Sequence, residues 1–194
     1  MGLKLHLGCG NKLLPEPWVN VDQVQPLSIP DGARFDLLNL ESYAAWPYKD
    51  NTFDEAQAIH VLEHIGDTYS AFVRFLTELY RVCAHNAVIN IAVPHPRHDH
   101  FLGDPSHVRP ITPAVFAAFS KRLNHEWIAA GYSNSTLGLV HNLDFDLVEV
   151  REVLDPEWVA RLQNGSIGDG QLAFAKRFYN NVIMEYQITL KVLK

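Results

Sequence analysis

The chain has 194 residues and a formal net charge of −6, from 16 basic and 22 acidic side chains. This length predicts one domain with its own core, and a 47% hydrophobic fraction with 20% charged residues excludes a largely disordered or fibrous protein. The acidic balance argues against bulk nucleic acid or a membrane surface as partner, because both require clustered basic side chains. With only two cysteines, no membrane-length apolar run and no signal-peptide pattern, the sequence predicts a cytoplasmic protein.

The first half of the chain alternates short apolar strands with one strongly periodic helix. The helix is predicted from helical spacing of apolar residues between Tyr69 and Cys83, with Asp67 as its N-cap. The Val- and Ile-rich run over 87–93 predicts a strand buried on both faces of a parallel sheet. Earlier strands are predicted over 3–7, 18–22, 33–38 and 53–61.

The second half predicts fewer strands and more helix. Helices are predicted over 113–122, 156–162 and 171–180, and alternating strands over 145–153 and 185–192. The pattern as a whole predicts an α/β three-layer sandwich with a mostly parallel sheet, in which the last two strands form an antiparallel edge.

Ligands of such sheets bind at the carboxyl ends of the strands, so the residues that end each strand are the candidates. The first strand ends in Gly8-Cys9-Gly10, which lets a ligand approach bare backbone, and the second ends in Asp22, which can accept both hydroxyls of a ribose. A dinucleotide site needs a third glycine, a pyrophosphate-binding helix and a carboxylate roughly 20 residues on. Here Lys12 replaces that glycine, two prolines shorten the connection, and Asp22 comes too early. The spacing favours a ligand with a ribose and no pyrophosphate, such as S-adenosylmethionine.

Several motifs in order resemble one family. They are LHLGCG at 5–10, NVD at 20–22, FD at 53–54 and HVLEHI at 60–65. Together they are similar to class I S-adenosylmethionine-dependent methyltransferases, and more narrowly to a subgroup with a short first connection and a His-x-Leu-Glu-His signature. The segment DPSHVRP at 104–110 is similar to a loop in bacterial and phage members. The resemblance covers about residues 3–120, with His6 where the family often has an acidic residue.

The resemblance implies a Rossmann-like fold with strand order 3-2-1-4-5-7-6 and S-adenosylmethionine as cofactor. It implies a cofactor-binding part over 1–93, an acceptor loop and lid over 94–140, and edge strands over 141–194. Asp22 would bind the ribose hydroxyls, Asp36 the adenine amino group with Leu37 beside it, and His60 would line the pocket. The implied cofactor residues are Gly8, Cys9, Gly10, Asp22, Asp36, Leu37 and His60.

Methyl transfer requires alignment of the acceptor, and a base where the acceptor arrives protonated. Histidine titrates near neutral pH and is the natural candidate, which points to His64, His95 and His107. Arg97 and Arg109 flank the same loop and can hold an acidic group of the substrate. The predicted acceptor is a hydroxyl, amine or carboxylate of a small molecule or sugar derivative, and the protein is predicted to be a monomer or homodimer.

Other interpretations stay open on the residues alone. Glu63 and His64 can cap a turn or pair with Arg81, and the loop histidines can be ordinary solvated residues. The chain can be a cofactor-binding module that transfers nothing. It can also be a metal-dependent enzyme built on the loop from His95 to His107, although the ligand spacing there matches no known closed zinc arrangement, so no metal site is predicted. A dehydrogenase is the weakest option.

Overall fold

A seven-stranded sheet forms the centre of the molecule. The structure is a computed structural model that describes residues 2–42 and 44–194. The strands in chain order are β1 (Leu3–Leu7), β2 (Trp18–Asp22), β3 (Arg34–Leu37), β4 (Phe53–Ile59), β5 (Cys83–Pro94), β6 (Phe145–Leu154) and β7 (Ile183–Val192). Their order across the sheet is β3-β2-β1-β4-β5-β7-β6.

The sheet is parallel except at one edge. The pairs β1–β2, β1–β4, β2–β3 and β4–β5 are parallel, whereas β7 runs antiparallel to both β5 and β6. Helices cover both faces of the sheet. The predicted sandwich, strand order and antiparallel edge are therefore confirmed. The central strands carry mostly apolar side chains in their buried middle parts, as expected where helices cover both faces of a sheet.

The helices are short apart from the first. They are α1 (Tyr69–Val82), α2 (Asp99–Leu102), α3 (Pro113–Ala117), α4 (Lys121–Ala129), α5 (Leu137–His141), α6 (Pro156–Gln163) and α7 (Asp169–Phe178), and a 3-10 turn covers Leu62–His64. The apolar stripe of α1 is buried against the sheet, as its periodicity predicts. Its N-cap is Thr68, whose hydroxyl accepts from the amide of Ala71 at 3.2 Å, so the predicted N-cap Asp67 is wrong by one residue.

The single helix predicted over 113–122 is two helices. Between them, the carbonyls of Ala118 and Phe119 accept from the amides of Gly138 and Phe145 instead of continuing a helical ladder. Ser120 then caps α4 by accepting from the amide of Leu123. Gly138 and Phe145, which are distant in the sequence, therefore interrupt the helix. The local pattern of apolar residues does not predict this interruption.

The fourth strand ends earlier than predicted. Residue His60 has φ +55°, so the extended backbone of β4 stops at Ile59 and the chain turns into the 3-10 segment. The fifth strand begins at Cys83, directly after α1, and is longer than predicted.

The first connection contains no helix over residues 8–17. It is held instead by Asn20, whose amide oxygen accepts from the Leu14 amide at 2.8 Å and whose amide nitrogen donates to the Leu14 carbonyl at 2.8 Å. The ring of His6 donates to the same Asn20 oxygen at 2.9 Å and is buried. The residue that departs from the family pattern thus supports the short connection.

Across residues 2–42 and 44–194, none of the helices has both the length and the apolar character that crossing a membrane requires.

Candidate functional site

A cleft of about 210 Å³ opens where β1, β2 and β4 end. Parallel strands bring their carboxyl ends to the same edge of the sheet, which is why distant segments meet here. The cleft is lined by Gly8, Asp22, Gln23, Asn39, Leu40, Glu41, His60, Val61, His64 and Ile65. Gly8, Asp22, His60 and His64 are among the residues that the sequence predicts for the site.

The glycine turn and Asp22 form one wall of the cleft. Gly8 has φ +61°, and a Cβ there would lie 2.5 Å from Cγ2 of Val61, so only glycine fits. One oxygen of the Asp22 carboxylate accepts from the amide of Gly10 at 2.8 Å, and the other accepts from the amide of Val24 at 3.0 Å. These bonds fix the carboxylate, and each oxygen keeps a lone pair for a ligand.

The opposite wall comes from the loop after β3, which sequence reasoning did not assign. Asn39, Leu40 and Glu41 line the cleft, and the Glu41 carboxylate accepts from the amide of Gly66 at 2.8 Å. These three residues could have been predicted as site residues from the sequence, because they come shortly after a predicted strand. The hydrogen bond between Glu41 and Gly66 joins segments that are distant in the sequence, so no local pattern predicts it.

Asp36 and Leu37 do not line this cleft. The carboxylate of Asp36 accepts from the Arg34 guanidinium at 2.8 Å and from the Tyr48 hydroxyl at 2.9 Å. Leu37 is 64% exposed. Cys9 and Gly10 belong to the same glycine turn as Gly8, but neither residue lines the cleft.

The ring of His60 lies between two carboxylates. Its Nε2 is 3.0 Å from Oε2 of Glu185, and its Nδ1 is 3.5 Å from Oε1 of Glu63. These two acids, Glu63 above all, raise the pKa of His60. A half-exposed ring with a raised pKa, held by two acids, therefore lies at the edge of the cleft.

His64 and His107 come together although they belong to different segments. Their ring centroids are 4.6 Å apart. The amides of Val108 and Arg109 donate to the carbonyl of Glu63 at 2.9 and 3.3 Å, which ties the loop after β5 to the 3-10 turn. Glu63 makes no pair with Arg81, which instead binds Glu78 and Asp50.

The other predicted site residues have structural partners outside the cleft. His95 is buried against Tyr186, with 4.9 Å between ring centroids, and burial lowers its pKa. Arg97 donates to the carbonyls of Lys176 and Arg177 at the end of α7. Arg109 donates to the carbonyls of Gly66 and Thr68 and lies over the ring of Phe72. Of the loop histidines that the metal alternative invoked, His98 and His100 lie together with ring centroids 4.4 Å apart, and His107 contacts His64 of the turn after β4.

The comparisons with known proteins rest on structure alone. No protein-family model and no curated protein matches the sequence. A S-adenosylmethionine-dependent methyltransferase from Archaeoglobus fulgidus is similar in structure, with a TM-score of 0.58, 17% identity, and coverage of 98% of this chain and 86% of that chain.

Two other similar structures have different activities in their names. The 1,6-didemethyltoxoflavin-N1-methyltransferase of Burkholderia thailandensis, with its substrate and S-adenosylhomocysteine bound, has a TM-score of 0.56, 12% identity, and coverage of 99% of this chain and 71% of that chain. The 4+2 cyclase SpnF has a TM-score of 0.53, 16% identity, and coverage of 99% and 76%. The chain has the Rossmann-like fold of the class I S-adenosylmethionine-dependent methyltransferases.

Proposed function

We propose that this protein is an S-adenosylmethionine-dependent methyltransferase that acts on an oxygen or nitrogen of a small-molecule or sugar-derived acceptor. One observation carries the proposal: in a methyltransferase fold, the cleft at the strand ends places bare Gly8 backbone beside the fixed carboxylate of Asp22. This is the combination that a ribose-bearing ligand without a pyrophosphate needs.

The cleft supplies a partner for each part of the cofactor. Asp22 accepts from the ribose hydroxyls through its remaining lone pairs. Leu40 and Ile65 are nearly buried and offer apolar surface to the adenine ring, and Asn39 is the polar residue of the same loop that would meet its polar edge. Gly8 leaves room for the methionine part. An adenine contact by Asp36 stays a prediction, since its carboxylate would have to serve Arg34 and Tyr48 as well.

A neighbouring cleft is the proposed place for the acceptor. It has a volume of about 380 Å³ and is lined by Glu41, His64, Asp67, Ala71, Arg74 and Val108. Glu41 and His64 also line the first cleft, so the two are adjacent. Its charged and polar lining suits a polar acceptor such as a sugar derivative.

When bound, S-adenosylmethionine supplies an electrophilic methyl group on a sulfonium. The task of the protein is to align the acceptor atom with that methyl group and to exclude water. Of the three predicted catalytic histidines, His64 is the one that lines both clefts. This position supports His64 as the residue that contacts the acceptor.

We also propose that residues 1–194 act as one domain, divided as the resemblance implies, and that the protein works in the cytoplasm as a monomer or homodimer. A single network of buried apolar side chains runs from β1 to β7, which supports one folding unit. Both cysteines are free, as expected in a reducing compartment.

Calorimetric titration with S-adenosylmethionine and S-adenosylhomocysteine tests the cofactor assignment. Asp22→Asn removes the charge that strengthens the ribose hydrogen bonds, worth about 1.5–3 kcal/mol, so we expect Kd to rise about 10- to 100-fold. Asp31→Asn changes an exposed loop carboxylate outside the cleft and should leave Kd unchanged. The proposal fails if the unmutated protein binds neither ligand.

Binding without transfer is the second candidate, because the similar structures include a cyclase. Formation of S-adenosylhomocysteine with a panel of sugar, phenol and amine acceptors separates the two. We expect production that depends on an acceptor and falls in Asp22→Asn. If S-adenosylhomocysteine never exceeds the acceptor-free background across the panel while the cofactor binds tightly, the non-transferring module is the better assignment.

A further inference from the structure

Three side chains from two segments converge beside the proposed cofactor cleft. Glu63 and His64 lie in the 3-10 turn after β4, and His107 lies in the loop after β5. One ligand atom from each lies within 4.8 Å of the others. In the part of the chain that the structure describes, this is the one group of three or more acidic, histidine or cysteine side chains with such proximity.

The Glu63 carboxylate is buried and lacks hydrogen bonds. It is 1% exposed, and neither Oε1 nor Oε2 has a hydrogen-bond partner. The ring of His60 approaches Oε1 only to 3.5 Å. A buried carboxylate without hydrogen bonds is costly, and such groups in native proteins are paired with a cation or coordinate a metal. The His60 ring gives Oε1 a distant ion pair only, and a metal ion among these side chains would supply the direct bond that the carboxylate lacks.

The hydrogen bonds of His107 leave one nitrogen available. Its Nδ1 lies 2.9 Å from the carbonyl oxygen of Phe101. A carbonyl only accepts, so Nδ1 carries the proton and Nε2 keeps its lone pair. The ring also stacks on Phe101, with centroids 5.2 Å apart. A backbone carbonyl that fixes the tautomer in this way is the usual outer partner of a metal-binding histidine.

His64 is fixed in the same tautomer through Ser106. The Ser106 hydroxyl donates to the Asp104 carboxylate at 2.6 Å, so its oxygen can only accept from Nδ1 of His64, 3.1 Å away. The Ser106 carbonyl is a second acceptor, 3.3 Å from Nδ1. Nδ1 of His64 is therefore the donor, and its Nε2 lone pair is available. Among the described residues, Nε2 of neither ring takes part in a hydrogen bond, although the Asp104 carboxylate approaches Nε2 of His107 to 3.8 Å.

We propose that Glu63, His64 and His107 bind a divalent transition-metal ion through one carboxylate oxygen and the two Nε2 atoms. Two imidazoles and a carboxylate suit Zn²⁺, Fe²⁺, Co²⁺ or Mn²⁺, and three protein ligands leave coordination positions open. Ligand atoms around a tetrahedral ion at about 2.1 Å lie roughly 3.4 Å apart. Side-chain rotations that bring these atoms about 1.4 Å closer together, from 4.8 Å, would complete the site.

The position of the site assigns it a role, which rests on the proposed methyltransferase function. His64 lines both the cofactor cleft and the acceptor cleft, so the ion would lie at their boundary. An acceptor hydroxyl that occupies an open coordination position is oriented toward the cofactor, and its pKa falls. The acceptor proton would then pass to solvent water as the methyl group moves from sulfur to oxygen, so His64 acts as a ligand and not as the base.

Metal binding to the purified, chelator-treated full chain tests the site without any cofactor or acceptor. Titration with Zn²⁺ by calorimetry and with Co²⁺ by visible absorption should give one ion per chain and cobalt bands typical of histidine and oxygen ligands. His107→Ala and Glu63→Gln should each weaken binding by about 100-fold or more. His100→Ala removes an exposed histidine of the same loop and should bind as the unmutated protein does.

Thermal unfolding guards against a folding artefact. Glu63→Gln removes the carboxylate that faces the His60 ring at 3.5 Å, so a cooperative unfolding transition of the metal-free variant must first show that it keeps the fold. The rise in Tm that Zn²⁺ gives the unmutated protein should disappear. Binding of less than one ion per chain, or equal binding by His107→Ala and the unmutated protein, would overturn the proposal. Because S-adenosylmethionine binding is measured separately, either proposal can fail while the other stands.

Discussion

Gly8 controls the shape of the cleft wall at the single-residue scale. It and Gly10 both have positive φ, +61° and +51°, yet their surroundings differ. A Cβ at Gly8 would lie 2.5 Å from a methyl group of Val61, whereas nothing lies within 4 Å of one at Gly10. Alanine substitutions at the two glycines can therefore be compared: both carry the energy cost of positive φ, and only the one at Gly8 adds the cost of the contact with Val61.

Gly10→Ala should lower the free energy of unfolding by about 1–2 kcal/mol, the cost of a side chain in the left-handed region. Gly8→Ala should cost about 1–3 kcal/mol more, because Val61 or the turn must move. Urea denaturation of both variants measures the difference. The double variant Gly8→Ala/Val61→Ala should recover part of the extra loss relative to the sum of the single changes. Equal losses for the two alanine variants would contradict the close contact.

Both thiols should be unreactive in the native protein. Burial, together with the charge of Asp22, raises the pKa of Cys9 to about 11, and burial raises the pKa of Cys83 to about 12. At pH 8 about one Cys9 thiol in a thousand is ionised. Iodoacetamide labelling should therefore modify neither residue in native buffer and both in guanidinium, as read by intact mass. Rapid native labelling at Cys9 would show that the glycine turn opens.

Position at a strand end was a good guide to single site residues, but side-chain partners were not visible in the sequence. Gly8 and His60 follow β1 and β4, Asp22 is the last residue of β2, and the topology alone brings them together. Asp36 lies in a similar place, but Arg34 and Tyr48 hold its carboxylate elsewhere. Arg97 is held by carbonyls some eighty residues further along the chain, which no local pattern reveals.

At the scale of elements, one ion-paired cluster fastens α1 to the segment before β4. Arg81 near the end of α1 pairs with Glu78 at 2.7 Å and also donates to the carbonyls of Trp46 and Tyr48. Glu78 in turn accepts from the amide of Trp46 at 2.7 Å. The cluster thereby holds the described part of the connection from β3 to β4 against α1 through hydrogen bonds to its backbone.

The cluster predicts a stability change with pH. The Arg81 guanidinium holds the pKa of Glu78 below its ordinary value of 4.5. A lowered acid pKa stabilises the fold above the unfolded pKa, and this contribution disappears as pH falls through the folded pKa. Glu78→Gln should therefore cost about 1–3 kcal/mol at pH 7 and progressively less below pH 4.5. Denaturant titrations at several pH values measure this difference.

Glu126→Gln is the matched control for that experiment. Its carboxylate pairs with Arg122 at 2.8 Å, but both side chains are more than half exposed. Such surface pairs contribute at most about 0.5 kcal/mol. A Glu78→Gln loss as small as that of Glu126→Gln, or one that stays constant with pH, would mean that the cluster does not stabilise the connection.

Periodicity predicted the elements whose cause is local and missed the boundaries that distant partners set. The apolar stripe of α1 is a property of its own residues. The division between α3 and α4 depends on Gly138 and Phe145, which take the carbonyls of Ala118 and Phe119. In the same way, His60 ends β4 early because a positive φ there is held by the turn and by its carboxylate neighbours.

At the scale of the whole molecule, the candidate site is a product of topology. The cleft joins the ends of three strands and the loop after a fourth, all within the parallel part of the sheet. The cleft exists only in the folded chain, because its walls come from segments that unfolding separates. A ligand of the cleft must therefore stabilise the entire fold, and the size of that effect follows from its Kd.

S-adenosylhomocysteine at 100 times its Kd should stabilise the chelator-treated protein by about 2.7 kcal/mol. For a chain of this size that corresponds to a rise in Tm of about 5–11 °C. Asp22→Asn at the same ligand concentration should show about half of this rise or less, because a 10- to 100-fold weaker Kd leaves about 0.4–1.4 kcal/mol. Differential scanning calorimetry with adenosine as a control ligand measures both. Since the chelator removes any metal, a shift that falls by half or more in Asp22→Asn and persists in His107→Ala would place the cofactor in the cleft independently of the metal site.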